Sequence, residues 1–261
     1  MSADERFSAG AWSLRGRREL FAELADELER HASARTKWRA RLTLGGEDVF
    51  LKGSPLAGRA ALRHALRRTL LGCEEPRLAE FANLDWLTRH GFRAPTPHLA
   101  GVRRAGGLTR YQFLVTGWVA APRLDEFWAR ASEPERAVAA RAFGRSLARL
   151  HALGFVHRDL FARNLLVEAG PTLVFLDAWR GGPRRGLRGP IHDLACLMLD
   201  GARLFRPAEQ RLFFQTYRAE SPQRPGSDLL RAVARARARQ VPRERRRHPE
   251  IAPDWNFLDA E

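Results

Sequence analysis

The hydrophobic and polar positions of the chain fall into a strand-rich stretch followed by a helix-rich one. Residues 1 to about 16 carry no sustained period and read as an irregular lead-in. Leu20, Phe21, Leu24 and Leu28 recur at helical spacing and predict an amphipathic helix over 17–30. Trp38, Ala40, Leu42 and Leu44 then alternate with Arg39, Arg41 and Thr43, and Gly45-Gly46 turns the chain into Val49-Phe50-Leu51-Lys52, the signature of a β-hairpin. A basic, Ala- and Leu-rich run over 56–71 predicts a helix. A second helix over 76–90 has Leu78, Phe81, Leu84 and Leu87 as its buried stripe and Gly91 as its stop. Strands are expected at 99–102 and 111–116. Beyond them the period becomes helical, with helices over 123–131 and 133–153. Strands first and helices later, joined at Thr116 to Val119, predict an α+β fold of two lobes. The expected divisions are an N-terminal extension over 1–35, a small β-rich lobe over 36–117 and a mostly helical lobe over 118–261.

Composition narrows the function classes. Hydrophobic residues at 44% and charged ones at 29% belong to a globular chain of 261 residues. No apolar run approaches the roughly 18 residues of a membrane helix, and the start has no signal-peptide pattern, so a cytoplasmic protein is expected. Cys73 and Cys196 lack ligand-spaced neighbours, which argues against a disulfide framework or a zinc site. The net charge of +15 points to an anionic partner. Nearly all of it is arginine, since the chain has lysine only at Lys37 and Lys52. A surviving lysine in such a chain marks a position that needs a compact point charge. Residues 228–247 are dense in arginine and read either as a solvated helix face or as a phosphate- or lipid-binding surface. Neither a helix-turn-helix nor an aromatic stacking platform is visible, so no nucleic-acid partner is expected.

The chemistry concentrates in His157-Arg158-Asp159-Leu160-Phe161-Ala162-Arg163-Asn164, which has the form H-R-D-x-x-x-x-N of a kinase catalytic loop. An apolar run, Leu173 to Leu176, separates it from Asp177. Phosphoryl transfer needs a carboxylate to take the attacking hydroxyl's proton and hard oxygens for the metal that bridges the phosphates. Asp159 suits the first task, and Asn164 and Asp177 suit the second as ligands for Mg²⁺ beside ATP. Lys52, at the end of its strand, is the candidate to hold the phosphates, with Glu80 as the partner that fixes it; Glu74 and Glu75 precede the helix and suit less well. No G-x-G-x-x-G precedes Lys52. The equivalent turn falls at 32–37, where Ser33 and Lys37 are the candidate phosphate contacts. Thr116 and Val119, at the junction, are candidate nucleotide contacts. His157 and Asp193 are expected to be structural, Asp193 bracing the catalytic loop. Residues 178–193 contain no Ser, Thr or Tyr and no A-P-E, unlike an ordinary protein kinase. Arg180, Arg184, Arg185 and Arg188 follow Asp177 among glycines and are candidates for binding an anionic acceptor.

Taken together, Thr43 to Lys52, the basic connection to the Glu80 helix, Gly91 with Pro95-Thr96-Pro97, His157 to Asn164, Asp177-x-x-Arg180-Gly181 and Asp193-Leu194-Ala195 resemble the lipopolysaccharide core kinases. The resemblance implies a protein-kinase-like fold, ATP with Mg²⁺, and an anionic glycolipid or sugar acceptor, a heptose or Kdo hydroxyl, at the inner membrane face. Peripheral contact with an anionic membrane surface through the arginine-rich segments fits the same picture. Two alternatives stay open: a kinase of another acceptor, such as a small molecule or a protein tyrosine, and a non-catalytic kinase-like module that binds anionic lipid.

Overall fold

In the computed structural model, strands β1 (Arg6–Ala9) and β2 (Trp12–Gly16) form a hairpin where the sequence suggests an irregular lead-in. The alternation of Trp12 and Leu14 with Ser13 and Arg15 is real but only four residues long, too short to register as a period. The structure describes residues 5–184, 186–221 and 228–255, and the chain forms two units, Met1–Ala120 and Ala121–Glu261.

In the first unit, helix α1 (Arg18–Ala34) follows the hairpin. It runs past the expected end at residue 30 because the buried stripe Leu20, Leu24, Leu28 continues at the same four-residue interval to Ala32. Strands β3 (Trp38–Leu44) and β4 (Glu47–Pro55) form the predicted hairpin, with Arg39 opposite Lys52 and Leu44 opposite Glu47. Gly45 and Gly46 both have positive φ, 55° and 79°, the pair of left-handed residues that a tight two-residue hairpin turn requires. Helices α2 (Gly58–Leu71) and α3 (Pro76–Arg89) come next, then strands β5 (Pro97–Ala105) and β6 (Leu108–Gly117). The six strands form one antiparallel sheet in the order β1-β2-β5-β6-β4-β3.

The pleat sends alternate residues of β4 and β6 to opposite faces. On one face Val49, Leu51, Tyr111, Phe113 and Val115 pack with Trp12 and with Leu20, Leu24 and Leu28 of α1 in a continuous apolar core. The elements from Arg6 to Ala34 therefore contribute to the sheet and its core. The other face carries Phe50, Lys52, Leu114 and Thr116, and α3 turns Glu80 to it.

The second unit opens with helix α4 (Leu124–Arg130) and the long α5 (Glu133–Ala152), started by a capping box in which Glu135 accepts bonds from the Ser132 amide and hydroxyl at 2.7 and 2.6 Å. Strand β7 (Phe155–Val156) leads to the catalytic-loop segment, and β8 (Leu165–Glu168) and β9 (Thr172–Phe175) form a hairpin beyond it. Strand β10 (Gly182–Pro183) returns to pair with β7. Helices α6 (Arg188–Leu204), α7 (Pro207–Glu220) and α8 (Leu229–Glu244) complete the unit. Pro190 is no obstacle to α6, because it lies in the first turn, where a helix amide has no intrahelical partner. At Gly144 a Cβ would come within 2.5 Å of the Phe213 carbonyl, so glycine lets α5 and α7 approach closely. The order of strand pair, lysine, glutamate helix, two strands, helices, loop, hairpin and aspartate is that of a protein-kinase-like α+β fold. Among the described residues no helix is long and apolar enough to cross a membrane.

Candidate active site

The first unit contributes a charge cluster. Lys52 Nζ donates to Glu80 Oε1 at 2.5 Å, joining β4 to α3. Glu80 is buried, and Arg77 Nη1 contacts its other oxygen at 2.5 Å. A buried carboxylate is costly unless it is paired, and here two cations share one. Sequence reasoning passed over Arg77, although its i,i+3 spacing from Glu80 is a legible helix-pair signal. Glu75 is committed elsewhere: it is buried at the start of α3 and accepts bonds from Arg68, Arg104 and Thr109 at 2.9, 2.8 and 2.9 Å. Those partners hold its carboxyl below the usual range against the opposing effect of burial.

The expected phosphate turn at 32–37 is a correction. Residues up to Ala34 are the last turn of α1, so their amides are spent in the helix, and the exposed Ser33 donates to Glu29 at 3.2 Å. Arg35, at φ 54°, ends the helix, and Lys37 is exposed just before β3. Ser33 therefore sits on a helix surface, with no loop of free amides around it. Thr116 is buried on the Lys52 face of the sheet, and Val119 follows β6 half-buried.

The second unit fixes its loop through the main chain. Asp193, buried on α6, accepts the amide protons of His157 and Arg158, both at 2.6 Å. His151 Nε2 lies 3.3 Å from the same carboxylate, and the Tyr217 hydroxyl is 2.8 Å from His151 Nδ1. Burial, helped by Asp193, pushes the Tyr217 hydroxyl's pKa up, which keeps it protonated as a donor. The His157 ring donates from Nε2 to the Leu176 carbonyl at 2.9 Å, tying the loop to the segment ahead of Asp177. Asp200, missed from sequence, accepts from the Ala162 amide at 3.1 Å.

Arg158 and Asp177 stand at φ 63° and 56°, a left-handed backbone that is uncommon away from glycine. Such strain persists where surrounding bonds over-determine it, and it clusters at functional positions. Asn164 Nδ2 donates to the Asp159 carbonyl at 2.8 Å, which leaves the Asn164 side-chain oxygen as its remaining polar atom. Burial raises the Asp159 carboxyl pKa above its ordinary value; Arg180, 3.8 Å away, opposes that shift and Asp177 adds to it. The Asp177 carboxylate and the Asn164 amide oxygen are the kind of hard donors that suit a cation keeping water and phosphate in its remaining positions. Among the described residues no group of three or more His, Cys, Asp or Glu side chains forms a dedicated metal cage, and Mg²⁺ seldom uses one.

Of the arginines after Asp177, Arg180 stacks over Trp179 and reaches Asp159, while Arg184 and Arg188 are exposed. Arg185 lies outside the described residues. In the arginine-rich C-terminal stretch, Arg237 is an exception to both sequence readings. It is buried and donates to the carbonyls of Met198, Pro253 and Ala252 at 2.9, 3.1 and 2.6 Å. The four-residue interval Val233, Arg237, Val241 places it on the buried stripe of α8, a signal the sequence carried.

The sequence model of the Lipopolysaccharide kinase (Kdo/WaaP) family matches residues 53–217, more than half of the chain. The match begins one residue after Lys52 and takes in Glu80, Asp159, Asn164, Asp177 and Asp193. No curated protein matches the chain. Among solved structures, two of the WbdD protein are similar at 16% identity. The one described as a bifunctional kinase-methyltransferase aligns over 89% of this chain and 53% of its own, with a TM-score of 0.44. The other aligns over 89% and 52%, with a TM-score of 0.47. The chain thus spans about half the length of these WbdD chains. A divergent Toxoplasma kinase lacking the glycine-rich loop aligns at 13% identity over 83% of both chains, with a TM-score of 0.41.

Proposed function

As the chain belongs to the lipopolysaccharide kinase (Kdo/WaaP) family, we propose that it transfers the γ-phosphate of ATP to a sugar hydroxyl of a lipopolysaccharide inner core, a heptose or a Kdo. The observation that carries the reading is the braced loop, where Asp159, Asn164 and Asp177 come together on a backbone pinned by Asp193. Asp159 accepts the proton of the attacking hydroxyl. Its raised pKa strengthens it as a base. Asn164 and Asp177 would hold Mg²⁺, which when bound neutralises charge on the phosphate oxygens. Lys52 supplies a point charge suited to phosphate, and Glu80 with Arg77 sets its position. Exposed Arg184 and Arg188, with Arg185 between them in sequence, suit an acceptor that carries carboxylates or phosphates. An acceptor carried on lipid would bring a cytoplasmic enzyme to an anionic membrane surface.

The test supplies purified protein with γ-labelled ATP, Mg²⁺ and core glycolipids ending in Kdo or heptose. Label is expected in the glycolipid and is expected to vanish in Asp159→Ala. Label only in a small molecule or a tyrosine peptide would move the acceptor to another class. No transfer to any acceptor would leave the non-catalytic reading standing. Mass spectrometry of core lipopolysaccharide from a deletion strain should show one phosphate missing.

A further inference from the structure

Helix α2 is built inside out. In α1 the leucines face the sheet, whereas in α2 they face away from it. The inward side of α2 has buried Ala61, half-buried His64 and Ala65, and Arg68, which donates to Glu75 at 2.9 Å and to the Gly107 carbonyl at 2.8 Å. The outward side exposes Leu62 by 55%, Leu66 by 51% and Leu70 by 74%, and Leu71, the last residue of the helix, is exposed by 69%. These are four of the eight large hydrophobic side chains exposed among the described residues, and they all lie on one 14-residue helix.

Spacing organises them. Leu62, Leu66 and Leu70 are each four residues apart and stack along one stripe. Arg59, Arg63 and Arg67 repeat the interval three residues earlier and run beside it. All three arginines are exposed, and none has an acidic partner among the described residues. A row of leucines beside a row of unpaired arginines is the pattern of a helix that lies in a lipid interface, with its apolar side in the acyl boundary and its cations at the headgroups. The chain's net charge of +15 favours an anionic surface. A second copy suits the face less well, because a two-fold contact through the leucines would set arginine rows of like charge close together.

We infer that α2 is a membrane-docking helix that seats Leu62, Leu66 and Leu70 in an anionic bilayer surface, with Arg59, Arg63 and Arg67 against the lipid phosphates. The inference gives a place on the fold to the lipid surface that the acceptor reading requires. It can nevertheless fail or hold without that reading, since binding needs no turnover.

Co-sedimentation with phosphatidylcholine vesicles, with and without phosphatidylglycerol, tests it. Wild-type protein should bind the mixed vesicles and bind the neutral ones far more weakly. Replacing Leu62, Leu66 and Leu70 by Gln should lower binding at least about tenfold. Replacing Arg59, Arg63 and Arg67 by Gln should lower it by roughly a hundredfold at low salt, on the mixed vesicles alone. These side chains are exposed, so the unfolding midpoint should hold; Leu70→Gln alone serves if the triple variant folds poorly. Asp159→Asn should bind as wild type does, which separates this claim from catalysis. Absence of vesicle binding, binding indifferent to the leucines, or a leucine-dependent dimer without vesicle binding would each overturn it.

Discussion

The two clusters proposed to serve phosphoryl transfer, Lys52 with Glu80 and the loop around Asp159, are held in different ways. In the first unit a single buried carboxylate, Glu80, is shared by Lys52 and Arg77. In the second, Asp159 and Asp177 influence each other, and Arg180 lies 3.8 Å from Asp159. The supports differ as well. Lys52 is positioned by side-chain ion pairs between two elements, while the Asp159 loop is positioned by main-chain amides on a buried aspartate. Damage to the first support should show up as lost activity in a folded protein. Damage to the second should show up in stability too.

The largest effect on stability is expected at Asp193. Asp193→Ala strands one buried and one partly buried amide, the buried one at about 1–3 kcal/mol, and should lower unfolding free energy by roughly 2–4 kcal/mol in urea titration, with activity falling in parallel. Asp193→Asn keeps one acceptor and should lose less. An Asp193→Ala protein as stable as wild type would erase the contrast between the two supports.

Lys52→Arg keeps the charge but widens the head group, so kcat/KM should fall on the order of a hundredfold from a misplacement of about 1 Å, with the melting temperature little changed. Arg77→Gln should produce a smaller loss of the same kind, because Lys52 still satisfies one oxygen of Glu80. Full activity in Lys52→Arg would remove this lysine from the site.

The smallest effect is electrostatic. Arg180 holds the Asp159 pKa down, against the rise caused by burial. Arg180→Gln removes that restraint, so the carboxylate takes up its proton at higher pH. The acid limb of kcat/KM, where activity is lost as Asp159 protonates, should therefore move upward. Half-exposed Arg180 is screened by water, so the shift should be less than about one pH unit. A limb that stays in place or moves downward would show that Arg180 does not set the base.

The loop was legible because its chemistry is local. Asp159 and Asn164 sit at fixed offsets in one segment, and an apolar strand of readable length separates them from Asp177. Lys52 stood out through scarcity, and Glu80 through its place on a helix that Pro76 opens and Gly91 follows. What stayed hidden depends on distant partners. Asp200 and the link from Asp193 to His151 and Tyr217 join residues 38 or more apart, and no periodicity reports them. Residues 32–34 misled because small residues suit a phosphate turn and a last helical turn equally well, and the leucine stripe of α1 decided the matter. Helix α2 was predicted as a helix, yet its outward leucines were invisible until the sheet showed which side it covers.

The most direct test of the central claim, that Asp159 is the catalytic base of a Mg-ATP-dependent kinase, sets the Mg-ATP dissociation constant beside the turnover rate in wild type and Asp159→Asn. The account predicts an unchanged dissociation constant with turnover lowered by on the order of 10²–10⁴-fold, the usual worth of a positioned base. Turnover near the wild-type rate in Asp159→Asn, or nucleotide binding lost together with turnover, would contradict it.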